Sequence, residues 1–227
     1  MSERLIKSKE RVKAHGEVFT PAWMVEKMLD LVKDEANDVY KTFLEPAAGD
    51  GNFLVAILRR KLKMISVTYE TRYCTTKALF ALSSIYGIEI QKDNLREARQ
   101  AMLEEFIKFH VELKIPIDNK SSHFKAARHI IHENIVWGDT LKKLRPDGSE
   151  IIFNEWKPIT KNGGRVERIP YTFSSMFTNE ESNYKIPQAG QQLSLFDLDE
   201  PIVEDKPIKY KIVDIKNVWK EELEHGE

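Results

Sequence analysis

Two glycines and an acid stand between a short apolar segment and an amphipathic one in Glu45-Pro46-Ala47-Ala48-Gly49-Asp50-Gly51-Asn52. Gly49 and Gly51 let the backbone turn with no side chain in the way, and the amides that open the next helix face whatever lies beyond the strand end. This is how a nucleotide-cofactor loop is built, although the same two glycines also serve as a plain strand-to-helix connection in α/β domains. A second apolar segment, Ile85-Tyr86-Gly87-Ile88-Glu89-Ile90, closes on an acid, and Glu89 at a strand end can accept hydrogen bonds from both hydroxyls of a ribose. A third, Asn134-Ile135-Val136-Trp137-Gly138-Asp139, stops at Gly-Asp. The three strand ends are expected to converge on one cleft.

The elements that must position them follow from periodicity. Residues 3 to 14 are charged and helix-compatible. Thr20-Pro21 reads as a helix start with Thr20 as N-cap, followed by a stripe of Trp23, Val25, Met28, Leu29 and Val32. A strand is predicted at 42 to 45, a helix over 52 to 64, a helical run over 73 to 84 and a strand at 85 to 90. A helix of about 93 to 113 ends before Pro116, and 116 to 126 reads as a loop insertion. Strands at 134 to 138 and near 150 to 153 complete the predicted sheet, giving the α/β class. Lys161-Asn162-Gly163-Gly164 signals a hairpin turn. Residues 178 to 207 lack periodicity and are rich in polar residues and proline, which predicts a partly disordered C-terminal extension. Ile208 to Val218 reads either as a final strand and helix or as an interaction tail. The domain division expected is 1–160 and 161–227.

Taken in order, these segments resemble a class I S-adenosylmethionine-dependent methyltransferase, in the adenine-N6 DNA branch associated with restriction-modification. The resemblance covers roughly residues 11 to 145 and implies a Rossmann-like sheet flanked by helices. It implies that Glu45, Pro46, Ala47, Gly49, Asp50, Gly51 and Asn52 form the S-adenosylmethionine loop, that Glu89 holds the ribose and Ile90 covers the adenine. Asp139 would accept a hydrogen bond from the adenine amino group. Upstream, His15-Gly16-Glu17-Val18-Phe19-Thr20-Pro21 is similar to the segment that closes over the methionine end, with Phe19, Thr20 and Pro21 as contacts. Read singly, Phe19 is equally a core aromatic and Glu89 a solvated strand end.

The chain departs from the family where the target base is held. The motif Asp/Asn/Ser-Pro-Pro-Tyr/Phe, whose aromatic stacks on a flipped base, is missing. In Glu150-Ile151-Ile152-Phe153-Asn154-Glu155-Trp156-Lys157-Pro158 an apolar strand does end in Asn, so Asn154 keeps the first position. Asn154 is the candidate to hold the target amino group. Trp156 either stacks on a base or is a half-buried aromatic closing the sheet edge. The residues after Lys157 are too few for a recognition domain of ~100 residues, so a partner subunit would read specific DNA.

In the C-terminal extension, Gln192-Leu193-Ser194-Leu195-Phe196 is similar at all five positions to the peptide by which bacterial proteins hold the DNA sliding clamp. Leu193, Leu195 and Phe196 would fill an apolar pocket, with Gln192 on its rim. The alternation equally suits a terminal strand. A non-catalytic adaptor that docks on the clamp is therefore the alternative to an active methyltransferase, and a change of substrate to RNA or protein is a third reading.

Composition bounds the rest. The 227 residues carry a formal charge of −1 and are 41% hydrophobic, enough for one core but without a net field for nucleic acid. Candidate local basic patches are Arg4, Lys7, Lys9, Arg11 and Lys13, and Arg59, Arg60, Lys61 and Lys63. A single cysteine, Cys74, and the absence of zinc-type spacing predict a reducing, cytoplasmic setting and no metal. The six histidines, of which His129 and His132 are the closest pair, read as surface or loop residues. No apolar run approaches ~20 residues, so no membrane span is expected.

Overall fold

The computed structural model describes residues 6–160, 163–177 and 209–223. Three short helices lead in: α1 (Lys9–His15), α2 (Ala22–Asp30) and α3 (Lys33–Asn37). An α/β core follows as β1 (Phe43–Glu45), α4 (Asn52–Thr68), α5 (Thr71–Ser83), β2 (Ile85–Glu89), α6 (Lys92–Glu112), α7 (Ser122–Asn134) and β3 (Ile135–Trp137). The three strands form a parallel sheet in the order β1-β2-β3, with Glu45 opposite Gly87 and Glu89 opposite Trp137. Every residue of β2 is buried, as expected of a central parallel strand covered by helices. Among the described residues no helix is long and apolar enough to cross a membrane.

The structure departs from the expected elements in three places. The supposed loop at 116–126 is shorter, because Ser121 caps α7 by accepting from the Phe124 amide at 3.3 Å. The run Ala126, Ala127, Ile130, Ile131 is then the buried stripe of a helix, and His129 and His132 lie on that helix rather than in a loop. The strand near 150–153 does not extend the parallel sheet. It is β4 (Ile152–Pro158), which pairs antiparallel with β5 (Arg165–Thr172), and β5 pairs with β6 (Val213–Asp214). The helix at Thr20-Pro21 is also capped one residue later than expected, by Pro21.

The strands on either side of the expected turn pair antiparallel, so they cross the boundary drawn at residue 160, with Pro158 opposite Val166. The last described segment is a short strand followed by a 3₁₀ turn over Ile215–Lys220 that docks on α7 and α5. Ile215 and Val218 join the same core as Phe153 and Ile130. A knot of polar groups links the two sheets. Tyr86 donates to the Asn154 carbonyl at 2.7 Å, and the Trp156 indole donates to Asn134 at 2.8 Å. The Asn134 amide in turn bonds the carbonyls of Ser83 and Ile85.

Lys61 fixes the approach to β1. Its side chain is fully buried, and its ammonium donates to the Asp38 carbonyl at 2.8 Å, the Ser84 hydroxyl at 2.8 Å and the Lys41 carbonyl. Burial pulls its pKa down to about 7. The unfolded chain keeps this proton to about pH 10.4, so between these values the unfolded state binds more protons and stability rises with pH. We expect Lys61→Met to lose roughly 2–3 kcal/mol through orphaned acceptors. It should also abolish the rise between pH 7 and 9, both read from urea denaturation.

Candidate functional site

A cleft of about 250 Å³ opens beyond the C-terminal ends of β1 and β2. The loop below it is shaped by positive φ at Gly49 (57°) and Gly51 (95°). A Cβ on Gly51 would lie 2.8 Å from the Ala98 backbone, so this glycine is needed for α4 to approach α6 as well as for the turn. The loop is tied to the sheet by Ala48 N–H to the Ile88 carbonyl (2.9 Å) and to the end of β3 by the Thr140 hydroxyl on the Pro46 carbonyl.

Glu89 is the hinge of this arrangement. One carboxylate oxygen accepts from Gly49 N–H and the other from Gln91 N–H, each at 2.7 Å. Each oxygen retains a lone pair, so a diol can still be held. Burial pushes the Glu89 carboxyl above its ordinary value, and burial does the same to Glu45 and Asp50. None of these three has an ion pair among the described residues, and no Lys or Arg lines the cleft.

The roof is residues 16 to 20. Phe19 is buried, 3.4 Å from where a Gly49 Cβ would stand, so it is both a core aromatic and a lid. Its segment is held by Arg11, whose guanidinium grips Glu17 on one side and Asp93 (2.7 Å) on the other. Lys7 adds pairs to Asp93 (3.1 Å) and Glu97 (2.7 Å), and Asn94 donates to Glu17 at 3.0 Å. Sequence reasoning placed Lys7 and Arg11 in a candidate basic patch and did not join them to Glu17, Asp93 or Asn94, because Arg11 and Asp93 are 82 positions apart and carry no spacing signal.

The structure thus brings Phe19, Thr20, Glu45, Ala47, Gly49, Asp50, Asn52, Glu89 and Ile90 to one cleft. Pro21, Pro46 and Gly51, expected as contacts too, do not line it. Asp139 is not brought in. Its carboxylate accepts from the Lys142 and Leu141 amides in its own turn and is held low by the Lys142 amide first of all.

Asn154 and Trp156 lie elsewhere. Both are buried in β4, and both ends of the Asn154 amide are engaged: it donates to Glu133 at 3.0 Å and accepts from Arg168 at 2.8 Å. Trp156 is a core residue, so of its two readings the structural one holds. His129, Glu133 and Glu221 bring ligand atoms within 4.8 Å of one another. The cation among them is the Arg168 guanidinium, 3.3 Å from His129, 3.2 Å from Glu221 and paired with Glu133. The peptide Gln192, Leu193, Ser194, Leu195, Phe196 lies outside the described residues.

Comparison of the chain with family models, with curated proteins and with solved structures gave no match.

If Arg11 holds the roof, Arg11→Ala should speed amide exchange across residues 16–20 while leaving β2 protected. Hydrogen–deuterium exchange read by mass spectrometry checks this.

Proposed function

We propose that the cleft takes S-adenosylmethionine and that the chain is the cofactor-holding part of an adenine-N6 type DNA methyltransferase with a Rossmann-like core. The observation that carries the reading is electrostatic. Glu45, Asp50 and Glu89 face the cleft without a cation, and no basic residue lines it. A dinucleotide would bring phosphate charge against three carboxylates, whereas a sulfonium with an ammonium group is attracted. When bound, S-adenosylmethionine supplies an electrophilic methyl group on sulfur.

The residues present fit that ligand. Glu89 offers two acceptor oxygens to a ribose diol, exposed Ile90 offers an apolar face to a base, and the Phe19 roof excludes water from the opposite end. The acceptor nucleophile is a different matter. Asn154 is spent on Glu133 and Arg168, so on this reading the group that aims the target amine comes from a partner subunit, which also reads the DNA. The edge of the parallel sheet beside the cofactor loop favours a split enzyme. Among the described residues β1 pairs only with β2, and a cavity of about 480 Å³ lined by Phe43, Tyr86, Phe153 and Met176 opens there. The clamp-like peptide sustains the adaptor reading on its sequence alone.

Calorimetric titration tests the assignment. Wild-type protein should bind S-adenosylmethionine in the micromolar range and NAD far more weakly, and Glu89→Gln should lose about tenfold or more, as for a charge-assisted hydrogen bond. Because burial raises the cleft carboxyls above their ordinary values, affinity for the cation should fall as pH is lowered, and the fall should begin above the usual carboxylate range. Binding of NAD in preference to S-adenosylmethionine would reject the assignment.

A further inference from the structure

The two basic patches visible in the sequence are largely consumed by the fold. Lys7 and Arg11 pair with Asp93, Arg59 pairs with Glu105, Arg60 with Glu26 and Asp30, and Lys61 is buried. A different basic surface forms where α6 and α7 meet the 3₁₀ turn at 215–220, around a groove of about 870 Å³. Arg96 and Arg99 stand on the α6 wall, and Lys125, Arg128, His129 and His132 stand on the α7 wall. No Asp or Glu lines this groove, in a chain whose net charge is −1.

The arginines and the lysine of this groove lack carboxylate partners among the described residues, whereas His129 lies 3.9 Å from Glu221 and His132 3.8 Å from Glu133. Arg96 and Arg128 are exposed and carry no ion pair among the described residues. Arg99 is held by two carbonyls, Ile135 at 2.9 Å and His132 at 3.1 Å, and burial lowers its pKa. Lys125 sits 4.6 Å above the Trp219 ring, which with Phe124 supplies aromatic wall. Glu133 and Glu221, which approach His132 and His129, are each also paired with Arg168.

We infer that this groove binds the phosphate backbone of a single nucleic-acid strand, apart from the cofactor cleft. Unpaired guanidinium groups give bidentate contacts to phosphate, and an aromatic wall offers a stacking face that tolerates any base. From Lys125 to His132 the α7 wall runs about 10 Å, at 1.5 Å per residue, which matches about three nucleotides at 3.4 Å each. A concave slot between helices admits one strand, whereas a duplex is read by an element that projects into its own groove of about 12 Å. The inference does not rest on S-adenosylmethionine binding, since the two sites share no lining residue.

The test is fluorescence anisotropy of the full chain with a labelled 20-nucleotide mixed-sequence strand, its duplex, and polyglutamate. The strand should bind more tightly than the other two. Arg96→Gln with Arg128→Gln should weaken it at least tenfold and reduce the slope of log affinity against log salt by about 1.4, or 0.7 per cation. Lys33→Gln with Arg72→Gln, which removes two charges elsewhere, should leave binding within twofold. Circular dichroism confirms the fold of both variants, whose side chains are exposed. Unchanged affinity in the groove variant, duplex binding as tight as the strand, or tighter binding of polyglutamate would each overturn the inference.

Discussion

The Glu89 carboxylate is the constraint on which the cleft depends. By accepting from Gly49 on one oxygen and Gln91 on the other, it joins the glycine loop after β1 to the turn that starts α6. This link adds to the Ala48 amide on the Ile88 carbonyl and the Thr140 hydroxyl on the Pro46 carbonyl, which tie the same loop to β2 and to the end of β3. The cost is a carboxylate kept away from water, and it is repeated at Glu45 and Asp50. Three carboxyls raised by burial in one cleft are unfavourable when ionised in the empty protein, and groups perturbed in this way cluster at functional sites.

A second constraint joins the two sheets. Asn134, Asn154, Trp156 and Arg168 are buried polar groups whose hydrogen bonds are satisfied by one another and by Glu133, Tyr86 and the backbone. Burial works against ionised Glu133, but His132, Arg168 and His129 bring it down to about 2. Groups so completely engaged fix the angle between the parallel sheet and the β4–β6 sheet. They also leave Asn154 unable to present its amide to a substrate. A residue assigned to the site by motif order is thus engaged instead by the surface against which its strand packs.

Legibility in the sequence divides along the same line. The loop at Glu45–Asn52, the acid at Glu89 and the helices from 52 to 112 were readable, because each depends on residues a few positions apart: glycines at a turn, apolar stripes at helical spacing, an acid at the end of an apolar run. Helix α7 was not anticipated: Ser121 and Ser122, which form its cap and first turn, fell in the stretch read as a loop, and no element was assigned between it and the strand at 134. Asp139 was expected in the cleft from its place after β3, yet its side chain is satisfied by the next turn.

By itself, the sequence determined the α/β pattern, the cofactor-type loop and the acid that faces it, since local sterics and periodicity suffice for these. Only the tertiary structure decided which charges remain free. Arg11 meets Asp93, Arg60 meets Glu26, and Arg168 meets Glu133, while Arg96 and Arg128 meet no acid among the described residues. Charge pairing acts through space between residues far apart in the chain. A count of basic residues along a segment therefore could not separate a neutralised helix face from a groove whose arginines stay unpaired among the described residues.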